Sequence, residues 1–185
     1  MRAIVVGIAG LGVAGQIVAG LLIVAALLAA FGRRAPLTFA EETLHGYELW
    51  LTFLVAMVAT VGSLFFSEVA NFIPCELCWY QRFCMYPLAP IMLVVAAMDA
   101  RRAAGWLLAL PVAGAGISIY HLLIENGLAR QTQDCLFSAP GGCAMKWINE
   151  FGYMTIPMLA LTAFALAFAF LLFAALNPVP PLHDA

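Results

Sequence analysis

The sequence predicts an all-α integral membrane protein: a four-helix transmembrane bundle plus one additional N-terminal transmembrane helix. Three observations carry this reading. Of the 185 residues, 65% are hydrophobic and only 10% charged, against roughly 25% charged in a typical soluble domain. A chain this short cannot bury so much apolar surface in a soluble core. And five stretches are long and apolar enough to cross a hydrocarbon core, which takes about 20 residues of helix. The ~10-residue alternation of a membrane β-strand is absent. Disorder is excluded as well, since it needs low hydrophobicity and high charge. Eight Lys+Arg against ten Asp+Glu leave a net charge of −2 with no basic run. The chain therefore lacks the electrostatic footprint of phosphate binding, and no nucleic-acid partner is expected. Its surroundings are the lipid bilayer.

The first segment runs from Ala3 to Phe31 and holds one strongly polar residue, Gln16. Arg2 gives it the cationic start of a signal peptide. Its apolar run is too long for one, since such a stretch spans about 7–15 residues. It is read as an uncleaved span, with Gly10/Ala14 and Gly15/Ala19 as small-xxx-small pairs able to pack it on the bundle. Residues 32–48 carry Arg33, Arg34, Glu41 and Glu42, and Thr38 with Glu41 has capping-box spacing for a short turn. The second span is Leu49–Phe66, and the stretch 67–78 has no Lys or Arg. The third runs from Trp79 to Met98. Asp99-Ala-Arg-Arg-Ala103 is a tight turn before the fourth span, Ala104–Ile124.

Residues 125–155 make the longest loop. There Met145, Ile148 and Phe151 recur at helical spacing. That pattern suggests a short helix in the membrane interface, with packing as a loop the alternative. The fifth span is Ile156–Leu176, and a proline-rich tail follows Asn177. The expected division is 1–46 for the extra span and its loop, 47–177 for the main bundle, and 178–185 for the tail. With all five segments spanning, Arg33, Arg34, Arg101 and Arg102 fall on one side. The excess of Lys and Arg in short loops marks that side as cytoplasmic. The loops around Cys75 and Cys135, and the N-terminus, then lie outside.

Cysteines carry the chemistry. Cys75-Glu76-Leu77-Cys78 follows Pro74 at the outer mouth of the third span. Free N–H groups and the dipole at a helix start stabilise a thiolate, which is the nucleophilic form. Arg82 stands one turn beyond Cys78, so its fixed charge favours that thiolate further. Cys135 and Cys143 lie in the long loop. Pro140-Gly141-Gly142 between them can turn the chain back, so a disulfide closing that short ring is feasible. It would persist in an oxidising compartment. Cys84 falls inside the third span as a small buried hydrophobe. From spacing alone the two outer pairs could be structural disulfides, a four-thiolate zinc site or an electron-exchanging set. The eight-residue second spacing argues against zinc. A bridge within one helical turn staples little, which argues against a purely structural role. His121 stands four residues before Glu125, so a simple hydrogen-bonded pair on one helix face is available to it.

The run Phe72-Ile-Pro-Cys-Glu-Leu-Cys-Trp-Tyr-Gln-Arg82 resembles the first-pair motif of the disulfide bond formation protein B family, above all its BdbC-type branch from Gram-positive bacteria. Val61-Gly-Ser-Leu-Phe-Phe-Ser-Glu68, Ile117-Ser-Ile-Tyr-His121, Trp147-Ile-Asn-Glu-Phe-Gly152 and Thr155-Ile-Pro157 belong to the same match, which runs from about residue 50 to 175. The resemblance implies an oxidoreductase of the bacterial cytoplasmic (inner) membrane. It would reoxidise an extracytoplasmic thioredoxin-fold oxidase of the DsbA or BdbD kind and pass two electrons to a quinone, menaquinone or ubiquinone. Carried over by position, Cys75 and Cys78 are the quinone-coupled pair, with Cys78 nearer the quinone. Cys135 and Cys143 meet the partner, with Cys135 the site of attack. Arg82 and His121 correspond to residues beside the quinone. The family has four spans, so residues 1–46 depart from its pattern. Gln81 also stands where some relatives have an acidic residue.

Two rivals make different predictions. A vitamin K epoxide reductase-like enzyme has its membrane Cys-x-x-Cys after the loop pair, and here it comes before. A non-enzymatic membrane protein with structural disulfides, such as a transporter subunit, should carry polar residues near the midplane to mark a substrate path. Here charge gathers at the helix ends.

Overall fold

A computed structural model describes residues 2–31, 44 and 46–176. Five long helices dominate it: α1 (Arg2–Ala30), α2 (Glu48–Leu64), α3 (Glu76–Ala97), α4 (Ala109–Glu125) and, after a loop with the short α5 (Gln133–Ser138), α6 (Ile156–Leu176). A 3-10 turn, Arg101–Ala103, and one helical turn, Ala104–Leu107, lead into α4. The described residues contain no strand, only an isolated bridge between Glu150 and Met154. Among the described residues four stretches are long and apolar enough to cross a membrane: Arg2–Ala25, Glu48–Val69, Arg101–Glu125 and Ile156–Ala175. Helix α3 is as long, at 22 residues, but carries Glu76, Gln81 and Arg82 in its first half. The chain is thus an all-α, multi-pass membrane protein. Arg33, Arg34, the Thr38–Glu41 turn and the tail at 178–185 lie outside the described residues.

Helix α6 is central, packing against α1, α2 and α4, while α3 lies against α2 and α4. The main core joins Leu49 of α2, Leu88 and Met92 of α3, and Phe164 and Leu171 of α6, all fully buried. Gly114 of α4 lies so close to the Phe164 ring that a Cβ would strike it. Cys84 sits in this core, as a small hydrophobe should.

At the far end from the cysteines, Arg101 is buried and its Nη1 donates to Glu48 Oε2 at 3.3 Å, while its Nε donates to Asp99 Oδ1 at 3.1 Å. Of the two arginines in this turn, only Arg102 is exposed. Arg101 instead ties the start of α2 to the end of α3.

Helix α1 packs on α6 through a stripe of small residues, but not wholly the expected one. Ala9 and Ala19 are buried. Gly12 lies against Leu159 and Met154, and Gly15 lies against Thr162 and Leu166. Gly10 has open space around it and Ala14 stays exposed, because four-residue spacing fixes a face without saying which face packs. Gln16, the polar residue of this helix, accepts from the Tyr153 hydroxyl at 3.0 Å. Val5, at the start of α1, clusters with Phe66 and Ile148, so this end of α1 lies on the cysteine side of the bundle.

The spacing of Met145, Ile148 and Phe151 does not produce a helix. Phe151 and Gly152 both adopt positive φ, 54° and 80°, and reverse the chain there. Ile148 turns inward while Phe151 stays exposed, so loop packing prevails.

Candidate functional site

Helix α3 begins where Pro74 ends an extended stretch, and Cys75 is its N-cap residue. The following turn brings Cys78 back over it, with the two Sγ atoms 3.0 Å apart. Both cysteines are free thiols, whereas Cys135 and Cys143 are joined as a disulfide. The bridge closes because the chain reverses at Gly141 and Gly142, with φ of 83° and 67°, values that favour glycine. A Cβ on Gly142 would also collide with Gln131 Oε1, the atom that accepts from the Cys143 N–H at 2.9 Å.

Cys75, Cys78, Cys135 and Cys143 meet in one cluster with Leu77, Ile124 and Ala139. Polar ties hold the loop on the first turn of α3. Thr132 caps α5 by accepting from the Cys135 N–H at 3.2 Å. Ser138 donates to the Cys135 carbonyl at 2.9 Å and accepts from the Glu76 N–H at 3.1 Å. That last bond satisfies one of the free N–H groups a helix start must place somewhere. Gln131, Thr132 and Ser138 do not stand out in the sequence reading. Only Thr132 had a local signal, as an N-cap residue type just before Gln-Asp-Cys.

His121 is buried at the junction of the two pairs. Its Nε2 lies 3.0 Å from the Cys143 carbonyl and 3.7 Å from Cys75 Sγ. A carbonyl only accepts, so Nε2 carries the proton and can also donate to a Cys75 thiolate. The hydrogen bond from the Cys78 thiol is the main force holding Cys75 down, to about 4 from an ordinary 9.0, with His121 adding to it against the opposing effect of burial. The hydrogen bond that helical spacing allows between His121 and Glu125 is not made. Nδ1 of the one and Oε2 of the other are both buried without a partner.

Arg82 takes a different direction. Its Nε donates to Ser63 Oγ and its Nη2 to the Ser63 carbonyl, both at 3.1 Å. Its guanidinium sits 5.2 Å from the Trp79 ring centroid and 5.8 Å from that of Tyr86. Just beyond Ser63, α2 widens into a π turn, Phe65–Val69, a feature that recurs at functional sites. Arg82 and Cys78 both line an apolar cavity of about 430 Å³ whose other walls come from α1, α2 and α6. Its lining includes exposed residues, Leu54 and Val58 among them, so it opens sideways to the membrane. His121 does not line it. The structure thus separates the two residues that the resemblance placed beside one ligand: Arg82 at the cavity, His121 between the sulfur pairs.

Fold and site together define a class, a helical membrane protein with two cysteine pairs, one bridged and one free, packed in one cluster. The comparisons narrow it. The family model for "Disulfide bond formation protein DsbB" matches residues 47–175. "Disulfide bond formation protein C" of Bacillus subtilis is 42% identical over 125 residues, 66% of this chain and 88% of the relative. The "Probable disulfide formation protein" of Deinococcus radiodurans is 38% identical over 132 residues, 66% of this chain and 85% of that one. No solved structure matches. The chain belongs to the DsbB family, and its role is an oxidoreductase's, in disulfide bond formation.

Proposed function

We propose that this protein carries electrons from an extracytoplasmic thioredoxin-fold dithiol of the DsbA or BdbD kind to a membrane quinone, with its cysteine loops on the outer face of a bacterial cytoplasmic membrane. One observation carries the reading: Cys78 belongs both to the four-cysteine cluster and to the wall of the cavity that opens to lipid. That cavity fits a quinone. It is apolar along its length and has a thiol and a guanidinium in its lining.

The Cys135–Cys143 disulfide takes the attack of a partner thiolate at Cys135, forming a mixed disulfide that the partner's second thiol resolves. The partner leaves oxidised, and Cys135 and Cys143 are then thiols. They reduce a Cys75–Cys78 disulfide by the same exchange, so the two electrons pass to the membrane pair. Free Cys75 and Cys78 beside a bridged Cys135–Cys143, the arrangement seen here, is what that step would leave. Closing the Cys75–Cys78 bridge again takes two electrons from the Cys75 thiolate and the Cys78 thiol and frees the one proton that Cys78 carries. A quinone held in the cavity that Cys78 and Arg82 line would accept both electrons and, with that proton and a second one from water, would leave as the quinol. Arg82 offers positive charge at the cavity wall.

The test is reduction of menaquinone or ubiquinone by the purified protein given a reduced thioredoxin-fold oxidase. Quinol should form in proportion to partner disulfide. Partner oxidation with neither quinone reduced would overturn the reading. Arg82→Gln should slow quinone reduction while exchange between the cysteine pairs continues. Membrane-impermeant maleimide on reduced intact cells should label Cys135 and Cys143. Labelling only after lysis would reverse the orientation.

A further inference from the structure

The residues matched by the family model begin at position 47, yet the cavity is not complete without helix α1. Ile8, Leu11, Gly15 and Val18 form one of its walls, facing α2 and α6. From Ile8 to Val18 this wall runs about 15 Å, at 1.5 Å per helical residue. Leu11 and Val18 are 66% and 43% exposed, so they stand at the open side of the slot rather than in the core. The thiol of Cys78 and the guanidinium of Arg82 belong to the same cavity but to another wall, on α3. The slot is therefore longer than a redox ring requires, and the part bounded by α1 is apolar.

We infer that α1 builds a subsite for the hydrocarbon tail of the electron acceptor, with Leu11 and Val18 as residues that set its preference for tailed over tailless quinones. The inference rests on the quinone reading above and deepens it. Contact with an apolar chain along that wall contributes by close packing, with no polar group to orient it. The wall's contribution should thus appear as uniform binding, in KM and not in kcat.

The experiment compares Leu11→Trp and Val18→Trp, which fill the slot, with Leu21→Trp, an exposed position on the same helix outside the cavity lining. Substrates are tailed and tailless members of each ring class: phylloquinone against menadione, and decylubiquinone against its tailless ring. In the two slot variants the ratio of tailed to tailless KM should rise about tenfold, equivalent to about 1.4 kcal/mol. Leu21→Trp should leave the ratio unchanged. A second readout is free of turnover: the tailed quinone should raise the melting temperature of the wild type more than that of either slot variant, because a ligand stabilises the fold it binds. Equal effects on tailed and tailless quinones, or none, would overturn the subsite. If the wild type reduces none of these quinones, the quinone reading itself fails, and that outcome is distinct. Competition by phosphatidylglycerol against the tailed quinone alone would assign the slot to a lipid acyl chain and also overturn the proposal.

Discussion

The two ends of this bundle hold together by different means. Away from the cysteines, Leu88, Met92 and Leu171 are fully packed, and the charges there, Glu48 and Arg101, neutralise each other out of water. At the cysteine end the buried apolar cluster is smaller, and the loop is held by hydrogen bonds that Gln131 and Thr132 accept and Ser138 donates. A cavity lies open beside them. One end fixes the helices relative to each other. The other holds sulfur atoms close while leaving them free to exchange partners. Substitutions at the two ends should therefore separate, with chemistry lost at one and stability at the other.

The largest effect falls on the chemistry. Cys75→Ser and Cys135→Ser should each reduce partner oxidation to background, because the relay needs every sulfur and groups acting as a unit fail together. Cys84→Ser, in the packed core, should retain turnover. Partner oxidation assays on the three variants decide this, and full activity in either of the first two would break the relay.

At the opposite end, Arg101→Ala should lower stability with little change in turnover per folded molecule. It leaves Glu48, with a side chain 2% exposed, as a buried unpaired charge. Removing one partner of such a pair commonly costs about 3–5 kcal/mol, whereas an apolar replacement of both is often neutral. The double variant Glu48→Gln/Arg101→Met should accordingly recover most of the melting temperature that Arg101→Ala loses.

These contrasts show which features a sequence makes legible. The spans could be read because hydropathy is a local property. The two cysteine pairs could be read because the spacing within each pair is local too. Features made by tertiary approach were not legible. The pairing of Arg101 with Glu48, 53 positions away, is one such feature. Gly10 and Ala14 matched a packing pattern as well as Gly15 and Ala19 did, and only the position of α6 distinguishes them. His121 acquired its contact with the Cys143 carbonyl when the loop folded over α4, a placement that no helix-face argument contains. The turn at Phe151-Gly152 overrode a helical period that spanned only seven residues.

Acidity at Cys75 sharpens the comparison from the reactive end. With the group held at about 4, alkylation of Cys75 should persist at mildly acid pH and fall off only as pH drops through about 4. Cys78→Ala removes the principal hydrogen bond and should move that midpoint up towards the ordinary 9.0. His121→Ala should move it in the same direction by less. The linkage has a definite sign. A depressed acid contributes stability that is fully present above the unfolded value and is lost as pH falls through the folded one. Between pH 9 and 4, stability attributable to Cys75 should therefore decline as protons are added, and Cys78→Ala should flatten that decline. A midpoint unchanged in Cys78→Ala would mean that another group sets the acidity.

The smallest effect expected is that of Ser138→Ala. The hydroxyl joins two elements, donating to the Cys135 carbonyl and accepting from the Glu76 N–H. A single hydrogen bond contributes about 1 kcal/mol net. The half-buried site lets water replace part of the loss, so the melting temperature should barely move. Exchange between the pairs is the sensitive readout, because this hydroxyl ties α5, which carries Cys135, to the first turn of α3, which carries Cys78. Loosening it should slow disulfide transfer from Cys75–Cys78 to reduced Cys135 and Cys143, while attack by the partner on Cys135–Cys143 proceeds at its former rate. Stopped-flow measurement of the two steps would separate them. Equal slowing of both would place Ser138 in general loop stability, and no slowing of either would show that the remaining ties through Gln131 and Thr132 suffice to align the sulfurs.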